Sequence, residues 1–232
     1  MTKKKFALVL ILFTSSFSAN ATPTASRPNV VFILIDDMGF GDLSCTGNTD
    51  VETQHIDRLA REGTLFKQFY VASPICSPSR VGITTGQYPA RHLVNSFLAG
   101  RKRNRERGMR DYLDPAAPAI ARPFRDSGYA TAHYGKWHMG GGRDVDDAPL
   151  PSAYGFQEHF VNKEGMGPRV DRKIDPKYTW TRTYVDKSID FINRNRNGSF
   201  YLHLWLNDVH DRHEPSPKFI ERYEAFADRP FT

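Results

Sequence analysis

The five residues Cys76-Ser77-Pro78-Ser79-Arg80 place a nucleophile, a helix-opening proline and a guanidinium within one helical turn. Ser77 is suited to cap a helix running from Pro78 to Thr84, with Pro78 at the first position, where its missing N–H is tolerated. Free N–H groups at a helix start form an anion site, and Arg80 in the first turn can lay a planar fork on an oxyanion. A helix start also draws a thiol toward thiolate. The pattern is a nucleophile beside an oxyanion-binding helix end.

Three more polar clusters each follow an apolar run. Asn29 to Ile35 is unbroken and β-branched, too short for a core helix, and it stops at Asp36-Asp37-Met38-Gly39. A parallel strand buried on both faces fits that run. Tyr129 to Tyr134 leads to Lys136 and His138, and Phe200 to Leu206 leads to Asn207-Asp208-Val209-His210. Open α/β sheets bind ligands at the carboxyl ends of their strands, so these clusters should converge with Cys76 on one edge.

The remaining elements alternate with those strands. Ile56, Leu59 and Ala60 have helical spacing before Gly63, and Leu65 to Val71 reads as a further strand. Helices are predicted from Pro118 to Asp126 and from Tyr178 to Arg196, while Gly140 to Lys177 reads as mostly loop. The fold class is therefore α/β, with a largely parallel central sheet flanked by helices.

Composition narrows the setting. The 232 residues are 39% hydrophobic and 25% charged, as in ordinary globular proteins. Met1 to Ala21 has three lysines, an apolar stretch from Phe6 to Phe13 and Ala19-Asn20-Ala21, the plan of a secretory leader cleaved after Ala21. That stretch is too short for a membrane anchor, which needs about 20 apolar residues. The leader lysines account for half of the formal +6, and the remaining +3 is too weak to argue for nucleic acid. The run Arg101 to Arg107 is either a solvated loop or a contact for a polyanionic substrate. Export to the periplasm or beyond permits a Cys45–Cys76 disulfide, but the residues around Cys76 have a better explanation.

Pro74 to Gly86, containing Cys76-Ser77-Pro78-Ser79-Arg80, closely resembles the first signature of the formylglycine-dependent sulfatases, a family of the alkaline phosphatase superfamily. In that signature Cys-x-Pro-x-Arg directs oxidation of the cysteine to formylglycine (3-oxoalanine). Gly128 to His138 resembles the second signature, and Pro28 through Asp37 is similar to the first metal-binding strand of the same family. Thr84 departs from the usual apolar residue, outside the modification core.

The resemblance implies a sulfuric ester hydrolase. The hydrated aldehyde at residue 76 would attack sulfur with one hydroxyl and expel sulfate with the other. Asp36, Asp37 and the modified Cys76 would hold a divalent ion, Ca2+ in preference to Mg2+ because an all-oxygen site suits it. Arg80 would hold the modified residue, Lys136 and His138 would bind sulfate and the diol, and His210 would protonate the leaving oxygen. His213 is its rival, since the family's His-x-Pro pattern is altered here to Asp208-Val209-His210-Asp211-Arg212-His213-Glu214-Pro215. The implied partners are a sulfated small molecule or polysaccharide and a formylglycine-generating, sulfatase-maturing enzyme.

By the same resemblance, residues 1–21 are a signal peptide, 22–28 a linker and 29–232 the first part of a catalytic domain. Further metal ligands and a sulfate-binding lysine would follow Thr232, so the polypeptide alone is expected to be inactive and poorly folded. A phosphoester or phosphonate hydrolase of the same superfamily and a non-catalytic binder of sulfated glycans are the alternative functions. A Cys76 thiol hydrolase would leave Pro78 and Arg80 unexplained.

Overall fold

A computed structural model describes residues 27–162, 165–171 and 173–224. The predicted leader, Met1 to Ala21, and the final Arg229 to Thr232 lie outside the described residues. Strands β1 (Val30–Ile35), β2 (Ala130–Gly135), β3 (Glu158–Val161) and β4 (Phe200–Leu206) form one sheet, all parallel, in the order β1-β4-β2-β3. Around it lie α1 (Gln54–Glu62), α2 (Cys76–Thr85), α3 (Arg101–Glu106), α4 (Ala121–Asp126), α5 (Trp180–Arg194) and α6 (Pro217–Tyr223). No described helix is long and apolar enough to cross a membrane.

The longest strand, β4, takes an inner place. β4 pairs with β1 from Val30 opposite Tyr201 and with β2 from Ala130 opposite Phe200, so it is covered on both faces and both edges. Its alternate residues serve different cores, as the twofold period of a strand requires. Tyr201 and Trp205 pack with Val81 of α2, Ala121 of α4 and Trp137, whereas Phe200, Leu202 and Leu204 pack with Trp180, Tyr184 and Phe191 of α5. Trp137, between the two candidate site residues Lys136 and His138, is fully buried against Tyr154 and Phe156.

Several expected elements differ. β1 is not buried on both faces: it pairs only with β4 among the described residues, and Val31 and Ile33 are exposed. Leu65 to Val71 is not a strand. No described strand lies beside it to satisfy its backbone, and Phe66, Phe69 and Tyr70 are exposed. β3 lies inside the stretch read as loop, pairing Ala132 with Glu158. The Arg101 to Arg107 run is mostly helix, not a loop, and Arg101 is held by Asp111 and Asp147. α4 starts at Ala121 instead of Pro118, and α5 starts at Trp180 after a 3-10 turn over Lys177–Thr179. Cys45 and Cys76 are both free thiols, not a disulfide.

Because the strands are parallel, their carboxyl ends share one edge. The ladder continues one residue past β1 and β2, with Asp36 N–H donating to the Leu206 carbonyl (3.0 Å) and Lys136 N–H to that of Trp205 (2.8 Å). Both site residues therefore leave the sheet from fixed backbone.

Candidate active site

Helix α2 begins at Cys76, two residues before the position that Pro78 suggested. Ile75 is the N-cap, in extended conformation, and Pro78 falls within the first turn, where N–H groups have no intrahelical partner to lose. Ser77 does not cap the helix. Its buried hydroxyl accepts the Leu98 N–H at 2.9 Å.

Three turn residues aim the other groups. Gly135 has φ +113°, and a Cβ there would stand 1.9 Å from the Trp205 carbonyl oxygen, so only glycine lets β2 end against β4 and hand over to Lys136. Asp37 (φ 64°) and His138 (φ 48°) occupy left-handed conformations that non-glycine residues adopt rarely and that gather at functional sites. His138 is buried, with Nε2 3.0 Å from the Leu98 carbonyl oxygen. The Leu98 peptide thus joins the first turn of α2 to His138 through its two ends.

At the centre, Asp36 Oδ1 accepts from Arg80 Nη2 at 2.8 Å and Oδ2 from Lys136 Nζ at 2.6 Å. Arg80 Nη1 also donates to the Lys136 carbonyl at 2.6 Å, and its guanidinium lies 5.0 Å from the centre of the Trp205 ring. The three side chains are 7%, 0% and 1% exposed for Asp36, Arg80 and Lys136. Burial alone would raise the Asp36 carboxyl, but the charges and hydrogen bonds of Arg80 and Lys136 outweigh it and bring the pKa down to about 2.

Cys76 opens onto a cleft of about 330 Å³ that Asp36, Asp37, Ser79 and Arg80 also line. Burial pushes its thiol up, against the pull of Lys136 and Arg80, with Asp36 adding to the rise. The helix start therefore does not produce a thiolate, and unmodified Cys76 is a weak nucleophile near neutral pH.

His210 reaches the site from the loop after β4: its Nε2 lies 3.8 Å from Asp37 Oδ2, on a carboxylate that is 54% exposed. His213 instead places Nε2 2.8 Å from the Val209 carbonyl oxygen. The structure thus brings together Asp36, Arg80 and Lys136, with Cys76 on the same cleft and His210 against Asp37.

The donor set suits a hard cation in kind. Asp36 and Asp37 are oxygen donors, and each Asp36 oxygen accepts one hydrogen bond and keeps a second lone-pair direction. Asp36 faces two cations, and Asp37 lines the same cleft, so a divalent ion held there would add positive charge to it. Among the described residues, no group of three or more His, Cys, Asp or Glu side chains forms a complete metal site.

One buried charge beside the His210 loop escaped the sequence reading. Lys177 is buried, and its Nζ donates to the carbonyls of Asp208 (3.3 Å), Arg212 (2.8 Å) and His210. Burial lowers its pKa, opposed by Asp208 and Glu214. No local pattern marks such a lysine, because its partners are backbone atoms at least 31 positions away.

The sequence model of the family described as Sulfatase matches residues 28–230. The chain belongs to the sulfatase family. This sulfatase-family chain is 41% identical over 143 residues to the N-acetylgalactosamine-6-O-sulfatase of Bacteroides thetaiotaomicron, covering 59% of the chain and 27% of that relative. It is 29% identical over 255 residues to the N-acetylgalactosamine-6-sulfatase of Canis lupus familiaris, covering 97% and 45%. A structure solved in work on glycosaminoglycan metabolism by Bacteroides thetaiotaomicron superposes with a TM-score of 0.70 at 25% identity, over 86% of the chain and 55% of that structure. The chain spans less than half the length of these curated relatives.

Proposed function

We propose that the protein hydrolyses sulfate esters of carbohydrates, with Cys76 converted to formylglycine and a divalent ion bound by Asp36, Asp37 and residue 76. The observation that carries this reading is the buried Arg80–Asp36–Lys136 cluster beside the Cys76 cleft, within a chain of the sulfatase family. The hydrated aldehyde supplies a hydroxyl nucleophile that a thiol with a raised pKa does not. The ion, Ca2+ in preference to Mg2+, supplies positive charge for the sulfate oxygens and for that hydroxyl.

The chain's own residues do the rest. Arg80, locked by Asp36, the Lys136 carbonyl and Trp205, fixes the first turn of α2 and so the position of residue 76. Lys136 sets an ammonium where negative charge builds on the sulfate. His138, oriented by Leu98, contacts the ester, and His210 protonates the departing oxygen, a task an imidazole performs well near neutral pH.

Amino sugars sulfated at O6 are the first substrates to test, since two relatives are named for N-acetylgalactosamine-6-sulfate chemistry. A secretory leader at Met1 to Ala21 would deliver the protein to the periplasm or beyond, where such glycans are met.

Coexpression of the complete enzyme with a formylglycine-generating enzyme, followed by mass spectrometry of the Cys76 peptide and assay on aryl sulfate, aryl phosphate and 6-sulfated N-acetylgalactosamine, tests the reading. Aldehyde at residue 76 with sulfate release is expected. Faster aryl phosphate cleavage would move the protein to phosphoester chemistry, and an unmodified thiol would leave a binding protein.

A further inference from the structure

The loop from Asp208 to Glu214 carries His210, and its side chains from Asp211 to Glu214 are exposed. It has no regular secondary structure, so something other than a backbone ladder must fix the place of the imidazole. Lys177 meets that need from the turn before α5. An ammonium has three protons and no acceptor, and here the carbonyls of Asp208, His210 and Arg212 receive them. The backbone N–H of Lys177 also donates to Glu214 Oε2 at 3.3 Å, so one residue holds both ends of the loop.

We propose that Lys177 is a positioning residue: its buried ammonium gathers the 208–212 carbonyls and thereby holds His210 Nε2 against the Asp37 side of the Cys76 cleft. The ammonium plays the part that a bound cation plays in other loops, drawing carbonyl dipoles inward and turning the side chain at the middle carbonyl toward the sheet edge. It does not touch the ester. Its catalytic consequence, though not its ordering of the loop, rests on the sulfatase reading and on His210 as the proton donor.

The test compares Lys177→Met, which keeps the length of the side chain and removes the charge, with His210→Ala and the double variant in the matured, complete enzyme. Proton donation matters most for a poor leaving group. Lys177→Met should therefore lower kcat on phenyl sulfate by about tenfold or more beyond its effect on 4-nitrophenyl sulfate, as His210→Ala does. The double variant should match His210→Ala alone. Equal losses on both esters, or losses that multiply in the double variant, would overturn the assignment.

Hydrogen exchange supplies a readout independent of activity. Faster exchange confined to 208–214 is expected, and unchanged exchange there, or acceleration spread through α5 and β4, would also overturn it. If wild type cleaves no sulfate ester, the sulfatase reading fails while exchange still decides whether Lys177 orders the loop. If Lys177→Met does not fold, Lys177→Arg, which keeps the charge without the compact three-proton geometry, is put to the same two measurements.

Discussion

Lys136 Nζ lies 2.6 Å from Asp36 Oδ2, a contact between residues 100 positions apart that closes the sheet edge around α2. Arg80 occupies the other carboxylate oxygen at 2.8 Å, so one buried acid holds two buried cations. Removing one member of a buried charge cluster costs more than the cluster contributes as a whole, because the remaining charges lose their compensation.

Asp36→Asn should therefore destabilise the protein by about 3–5 kcal/mol. The amide NH2 would also face a cation, donor against donor. Urea denaturation monitored by tryptophan fluorescence measures the change. A loss below about 1 kcal/mol would mean that water, not Asp36, compensates Arg80 and Lys136.

Acid should weaken the fold in two stages. His133 and His203 are fully buried; burial holds His133 well below 6.5, and burial with the nearby Arg80 brings His203 to about 3. Both are neutral when folded, while the unfolded chain takes up protons below pH 6.5. Their contribution is complete above pH 6.5 and is lost as pH falls below it, for His203 down to about 3, at up to about 1.4 kcal/mol per pH unit for each histidine. Asp36 follows: its stabilisation is present above 3.8 and is lost between 3.8 and about 2. Denaturant midpoints taken from pH 8 to pH 4 should fall only below about 6.5, and His203→Phe should flatten that slope.

The elements that could be recognised from sequence were those whose residues face the same environment throughout. Phe200 to Leu206 is central and buried, and its bounds in the structure are the expected ones. Asn29 to Ile35 looks alike as a string yet lies at the edge of the sheet among the described residues, because strand order depends on pairings no local run encodes. Phe66, Phe69 and Tyr70 misled for the opposite reason, being apolar and exposed. β3, Glu-His-Phe-Val, is too short and too polar to declare itself. Site residues next to strand ends were visible as polar breaks in apolar runs, whereas Lys177 acts on backbone carbonyls of a distant loop and leaves no such mark.

Gly135→Ala tests how tightly the approach to Lys136 is built. The new Cβ would meet the Trp205 carbonyl oxygen at 1.9 Å and its carbonyl carbon at 2.7 Å, with φ at +113°. These are backbone atoms of the central strand, so relief requires β2 to separate from β4. A loss of about 3 kcal/mol or more is expected from strain and clash together. Gly86→Ala is the comparison: φ is +65° with nothing within 4 Å, so only the left-handed penalty of about 1–2 kcal/mol applies. Equal losses in the two variants would show that the close approach at Trp205 does not matter.

The two histidines of the β4 loop give the last test. His210 Nε2 lies 3.8 Å from Asp37 Oδ2, and His213 Nε2 contacts the Val209 carbonyl at 2.8 Å, within its own loop. On the proposed function, His210 is the proton donor of this loop. His210→Ala should then reduce kcat by about 10²–10⁴-fold on esters of poor leaving groups. His213→Ala should stay within about threefold of wild type, since it removes one exposed hydrogen bond worth roughly 1 kcal/mol or less. Steady-state rates on phenyl sulfate for the two variants decide the matter, and a larger loss at His213 would transfer the acid role to it.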